Sequence, residues 1–155
     1  MNPGSLITAD AVLPMLRAGS KRALLHELCA KAAELSHLSV DGIEKAVLQR
    51  EVLGSTGVGN GIAIPHGKLL ECERIFGVFA RLDKPIDFDA VDGLPVDLVF
   101  LLVAPEDAGA AHLKALASVA RLLRDPQRVA RLRNTRDAAA LHWMLVGEHP
   151  DTHAA

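Results

Sequence analysis

The sequence predicts an α/β fold, a small mixed β-sheet flanked by helices on both faces. Segments with helical spacing intermix along the chain with segments that read as strands, instead of separating into blocks. Val96 to Val103 is apolar from Leu98 onward, as a central strand covered on both faces would be. The 155 residues are half apolar and contain no internal repeat and no linker. One domain with one core is therefore expected, over about residues 6–146, followed by a polar tail at 147–155.

Val12 to Leu16 is short, apolar and interrupted by Pro14, which suits an edge strand. Ser20 is a candidate N-cap. The helix after it sets Leu24, Leu25, Leu28, Ala32 and Leu35 at helical spacing. A second helix is expected from Val40 to Val52, started by Ser39 or Asp41. It would turn Ile43, Val47 and Leu48 inward and leave Arg50 near its C-terminal end. Beyond a glycine-rich stretch, Ile62 to Ile64 reads as a short strand ending at Pro65-His66. Arg74 to Leu82 and Val96 to Val103 read as strands, with an acidic turn region from Asp83 to Gly93 between them. A helix is expected from Ala111 to Leu123. Asp125-Pro126, a cap followed by proline at the first helical position, starts another that runs to Leu132. Thr135 is the expected cap of a last helix through Val146, with Trp143 packing it onto the core.

Composition narrows the function classes. The net charge of −2 gives no global field toward nucleic acid or a membrane surface. No apolar run approaches the ~20 residues of a spanning helix, and no signal peptide is visible. Cys29 and Cys72 lack metal-site spacing and read as reduced thiols in a cytoplasmic protein. His26, His37, His142, His149 and His153 have no partners at metal spacing. Asp83, Asp87, Asp89 and Asp92 do not make a calcium loop, because Val91 and Leu98 stand where oxygen ligands are needed. Arginines 121, 124, 128, 131, 133 and 136 read as a solvated helical surface, without aromatic residues for stacking on bases.

The most informative stretch runs from Gly54 to Lys68, GSTGVGNGIAIPHGK. Its glycines allow close approach and positive φ, and Pro65 pushes Ile64 toward an extended conformation. The expectation is an amide-rich cradle with His66 at its edge. Ile62 rules out both the dinucleotide fingerprint and the P-loop, each of which needs glycine there. Neutral imidazole is a nucleophile near pH 7, so such a histidine suits reversible phosphoryl transfer. Arg50 is a candidate for neutralising phosphoryl charge, although the residues alone favour a helix-end arginine that complements the macrodipole. His112, near a helix start, is a candidate hydrogen-bond donor beside His66, or equally a solvent-facing residue. Ser55, Thr56, Asn60 and Lys68 read as turn or solvated residues in the first instance.

Arg50-Glu51 leading into Gly54-Ser55-Thr56-Gly57, and then Gly59 through Lys68, resemble the signature of the fructose- and mannitol-type enzyme IIA domains of the bacterial phosphoenolpyruvate-dependent phosphotransferase system. Pro85-Ile86-Asp87-Phe88, Pro95-Val96-Asp97-Leu98 and His112-Leu113 with Leu116 extend the likeness from about Leu6 to about Val146. It is greatest to the stand-alone nitrogen-regulatory (PtsN-type) branch. The resemblance implies the same mixed α/β architecture, His66 as phosphoryl acceptor through Nε2, and Arg50 and His112 in the active site. Lys114 stands where many relatives carry a further histidine, so no role passes to that position. The resemblance implies no metal and no organic cofactor. It implies an HPr-like phosphocarrier as donor, and regulatory targets such as potassium-transport regulators or alarmone-metabolising enzymes. The 155 residues hold no membrane segment and no second phosphorylatable domain, which favours regulation over sugar uptake. The alternatives are a sugar-specific enzyme IIA feeding a separate IIB subunit, a phosphorylation-independent binding regulator and, less well supported, a hydrolase using both histidines.

Overall fold

The computed structural model describes residues 3–146; the expected polar tail lies outside them. Six strands form one mixed sheet. In spatial order it runs β1 (Val12–Leu16), β5 (Phe76–Ile86), β6 (Val96–Pro105), then β3 (Ile62–Ala63) and β2 (Gly57–Gly59), with β4 (His66–Leu69) also pairing β6. β1 lies parallel to β5 at the edge, where Pro14 costs no ladder hydrogen bond on its open side. β5 and β6 are antiparallel, and β6 is buried from Leu98 to Ala104.

Short-range signals set most helix ends. Ser20 Oγ accepts from Ala23 N–H at 3.1 Å and starts α1 (Lys21–Ser36). Ser39 Oγ accepts from Gly42 N–H at 3.2 Å and starts α2 (Val40–Val52), which matches its expected bounds. Asp125 caps α4 (Pro126–Arg133) through Gln127 N–H at 3.1 Å. The buried positions of α1 and α2 carry the expected spacing: Leu24, Leu25, Leu28 and Ala32, then Ile43 and Val47. Leu35 and Leu48 pack against the core while only partly buried.

Four features depart from expectation. The stretch expected as one strand ending at His66 is two strands on one edge of β6. Ile62 pairs with Leu98 and His66 with Leu102 in the same register. Pro65 has no N–H, so the ladder lapses at Ile64-Pro65 and resumes without slipping. Second, β5 runs on through Asp83–Pro85, because a register irregularity between Arg81 and Ile86 absorbs Pro85 and lets Lys84 and Pro85 face solvent. Third, the cap of α5 (Ala138–Val146) is Asp137, whose Oδ2 accepts from Ala140 N–H at 2.9 Å, whereas Thr135 Oγ1 donates to Arg131 O. Asp137 wins because it directly precedes the first helical residue. Fourth, Trp143 is 51% exposed. Leu141 and Leu145 take the inward phase of α5, and position 143 falls on the far side of that turn.

The glycine stretch is a β-hairpin. Asn60 (φ 58°) and Gly61 (φ 80°) connect β2 to β3 as a two-residue turn that requires positive φ at both positions. The turn is clamped from two sides. Asp92 Oδ2 accepts from Asn60 N–H at 2.9 Å, and Arg133 donates to Asn60 O while pairing with Asp97 at 2.9 Å. Arg133 therefore holds the hairpin instead of lying on a solvated helix face.

Candidate functional site

His66 opens β4, just past the lapse at Pro65. The β6 ladder uses the carbonyls of Gly61 and Pro65, so that of Ile64 points away from β6, and His66 Nδ1 lies 2.9 Å from that oxygen. A carbonyl can only accept, so Nδ1 carries the proton and Nε2 keeps the lone pair. Side chains alternate along β4. Gly67 faces α2, where a Cβ would lie 3.0 Å from both Ala46 Cβ and Val47 N. His66 and Lys68 face the opposite side. There α3 (Ala110–Leu122) brings His112 to a ring-centroid distance of 5.4 Å from His66, with the planes at 67°. The sheet thus carries helices on both faces. Gly67→Val should destabilise the fold by about 2 kcal/mol, since the added atoms meet main chain that cannot move aside. Urea denaturation of the variant against wild type measures this; unchanged stability would mean α2 can retreat.

His112 is not solvent-facing. It is 3% exposed, and its Nε2 is buried without a hydrogen-bond partner. Burial, with His66 and Lys68 nearby, pulls its pKa down from 6.5 to about 4. His66 is half-buried, and its pKa is lowered mainly by burial. The Ile64 hydrogen bond and Glu51 oppose that shift; Arg50 and Lys68 add to it. Both imidazoles are therefore uncharged at neutral pH. Because the folded values lie below 6.5, the unfolded chain takes up these protons first. Stability is then full above pH 6.5 and falls toward pH 4, with His112 supplying a slope of up to about 1.4 kcal/mol per pH unit. Denaturation midpoints at pH 7.5 and pH 5 should fall less steeply for His112→Asn than for wild type.

Arg50 sits in the last turn of α2 and donates Nη1–H to Gly54 O at 2.8 Å. Arg50 also acts electrostatically on His66, so the fold brings Arg50, His66 and His112 near one another, with Lys68 on the same strand face as His66. Four amides of the expected amide-rich stretch have partners within the chain. Thr56 N–H goes to Glu51, Gly57 N–H to Ser55 Oγ, Asn60 N–H to Asp92 and Ile64 N–H to Thr56 O. Ser55 and Thr56 are bound internally, as ordinary turn residues are: Ser55 Oγ donates to Phe88 O and Thr56 Oγ1 to Glu51. Among the described residues no three or more His, Cys, Asp or Glu are grouped to hold a metal ion. A cleft of about 850 Å³ lies elsewhere, lined by the N-terminal segment, the end of α1 and residues 71–77.

Sequence reasoning assigned nothing to Glu51. Its side chain is 5% exposed and carries a full set of partners: Thr56 N–H at 3.2 Å, the Thr56 hydroxyl, and Lys21 Nζ at 2.9 Å. Lys21 in turn lies 4.6 Å over the Phe88 ring. A carboxylate three residues ahead of Gly54 and five ahead of Thr56 is the available signal.

The family described as "Phosphoenolpyruvate-dependent sugar phosphotransferase system, EIIA 2" matches residues 5–146. The chain belongs to this family. It is 58% identical over 140 residues to a nitrogen regulatory protein of Bradyrhizobium diazoefficiens, covering 90% of this chain and 92% of that one. A nitrogen regulatory protein of Escherichia coli is 40% identical over 142 residues, covering 91% and 87%. The crystal structure of nitrogen regulatory protein IIA-Ntr from Neisseria meningitidis superposes with a TM-score of 0.87 at 33% identity, over 92% of this chain and 98% of that one. IIA mannitol from Escherichia coli shares the fold, with a TM-score of 0.76 at 21% identity over 90% and 98%. The mixed sheet with five helices is thus the architecture of this EIIA domain. No helix among the described residues is long and apolar enough to cross a membrane.

Proposed function

We propose that this protein is a cytoplasmic phosphohistidine carrier of the nitrogen-regulatory phosphotransferase branch. It accepts a phosphoryl group on Nε2 of His66 from the phosphohistidine of an HPr-like carrier and regulates partner proteins through its phosphorylation state. One observation carries the reading: Nδ1 of His66 is committed to Ile64 O, which leaves Nε2 as the nucleophilic nitrogen on a ring that packs against buried His112, whose own Nε2 has no partner. The nitrogen-branch assignment draws on relatives of similar length that bear the name nitrogen regulatory protein. Potassium-transport regulators and alarmone-metabolising enzymes are the partner classes that the family likeness suggests.

In the transfer, the Nε2 lone pair attacks phosphorus in line. A new N–P bond forms as the donor's N–P bond breaks, and the donor imidazole leaves with that electron pair. His66 keeps its Nδ1 proton, so its ring gains positive charge, which the Ile64 carbonyl stabilises. His112 Nε2–H donates to a phosphoryl oxygen, while Arg50 and Lys68 offset the incoming negative charge. A neutral His112 does this without repelling the ring that becomes cationic.

The test is intact-mass analysis after incubation with phosphoenolpyruvate, an enzyme I and an HPr-like carrier. One acid-labile phosphoryl adduct is expected. No adduct with carriers of either the nitrogen or the sugar branch would overturn the proposal.

A further inference from the structure

We propose that Glu51 is a positioning residue for His66, acting from the far end of a hydrogen-bond chain that runs through the main chain of Thr56 and Ile64. The Glu51 carboxylate accepts from the N–H and the hydroxyl of Thr56. The Thr56 carbonyl accepts from Ile64 N–H at 3.0 Å. The Ile64 carbonyl accepts from His66 Nδ1–H at 2.9 Å. Each link fixes the next, so a carboxylate in α2 sets the height of the carbonyl that holds the imidazole in its tautomer.

The chain is anchored at both ends. Lys21, the first residue of α1, holds Glu51 Oε2 at 2.9 Å, and α1 packs on α2. Beside Thr56, Ser55 Oγ donates to Phe88 O at 2.8 Å and accepts from Gly57 N–H at 3.0 Å. The Ile64 carbonyl is available for this because the β6 ladder uses the carbonyls of Gly61 and Pro65, and because Glu51 takes the Thr56 N–H opposite it in the hairpin. Glu51 also acts through space. The charged side chains acting on His66 are Arg50 and Lys68, which disfavour a cationic ring, and Glu51, which favours it; His112 stands beside it. Glu51 therefore does for His66 what an orienting acid does when it touches an imidazole directly, but across two residues of main chain.

The inference rests on the phosphohistidine reading for its consequence, not for its test. Imidazole ¹⁵N and ¹H NMR of the unphosphorylated full chain needs no phosphate donor. In Glu51→Gln the His66 titration midpoint should fall and the Nδ1–H signal should shift or broaden as the other tautomer gains share. Transfer from the carrier should drop about tenfold to a hundredfold in kcat with KM unchanged. Thr56→Val severs only the hydroxyl link and should shift the same signals less, in the same direction. A folded Glu51→Gln with unchanged His66 midpoint and tautomer would overturn the proposal, as would a transfer loss confined to KM. If Glu51→Gln does not fold, an unshifted Nδ1–H signal in Thr56→Val overturns it instead. Should wild type take no phosphoryl group from any carrier, the carrier reading fails while the NMR comparison still decides the role of Glu51.

Discussion

His66→Ala should abolish phosphoryl acceptance while leaving the fold intact. In the donor assay, wild type gains one acid-labile adduct and the variant gains none, even at long incubation. The loss is complete, not partial, because the neighbouring His112 is 3% exposed: its buried Nε2 can contact a phosphoryl group carried by His66 but is not open to an incoming carrier as an acceptor. Stability should change little. His66 is half-buried and makes one hydrogen bond, to Ile64 O, whose net worth is about 1 kcal/mol. Removing a ring whose pKa is depressed by burial also removes a desolvation cost. Melting temperatures of the two proteins should therefore agree within a few degrees. An adduct on the variant would move the acceptor elsewhere. A variant that fails to fold would leave Nδ1-to-Ile64 bonding as a structural rather than a chemical requirement, with His66→Gln as the follow-up.

Glu51→Ala should destabilise the protein by about 3 kcal/mol, the largest stability effect expected at the site. The substitution strands Lys21, whose side chain is only 21% exposed, and leaves the Thr56 amide and hydroxyl without acceptors in a residue 4% exposed. Breaking one half of a buried ion pair is costly because the other charge stays behind, whereas removing both is far cheaper. The double variant Lys21→Met with Glu51→Leu should therefore recover most of the loss. Chemical denaturation of wild type, single and double variants checks this. A single variant as stable as wild type would mean that Lys21 escapes to water and that water satisfies Thr56.

Short-range physics made much of the fold legible. The helix α2 could be bounded because Ser39 supplies an oxygen three residues ahead of a free amide and because Ile43 and Val47 repeat at one turn. Asp125-Pro126 marked α4 for similar reasons, and Pro14 marked β1 as an edge. Errors arose where two neighbouring residues competed for one task, as Thr135 and Asp137 did for the cap of α5, or where helix phase mattered more than residue type, as at Trp143. The Asn60-Gly61 pair is a hairpin signal in the chain that the neighbouring glycines mask, since Gly54, Gly57 and Gly59 offer competing turn positions.

By itself the sequence determined the α/β class, most helix bounds, and the motif that singles out His66 and joins Arg50 to it. These depend on contacts within a turn or two, or on residue types at fixed spacing. Only the tertiary structure decided that Nε2 of His66 is its free nitrogen, that His112 is buried against it, and that Glu51 is tied to both Lys21 and Thr56. The contact of His112 with His66 and the Lys21–Glu51 pair join segments far apart in the chain, and the bonds of His66 to Ile64 and of Glu51 to Thr56, though short in sequence, depend on the strand geometry the sheet imposes. Burial, desolvation and the choice of hydrogen-bond partner are properties of that meeting, so no local pattern in the chain encodes them.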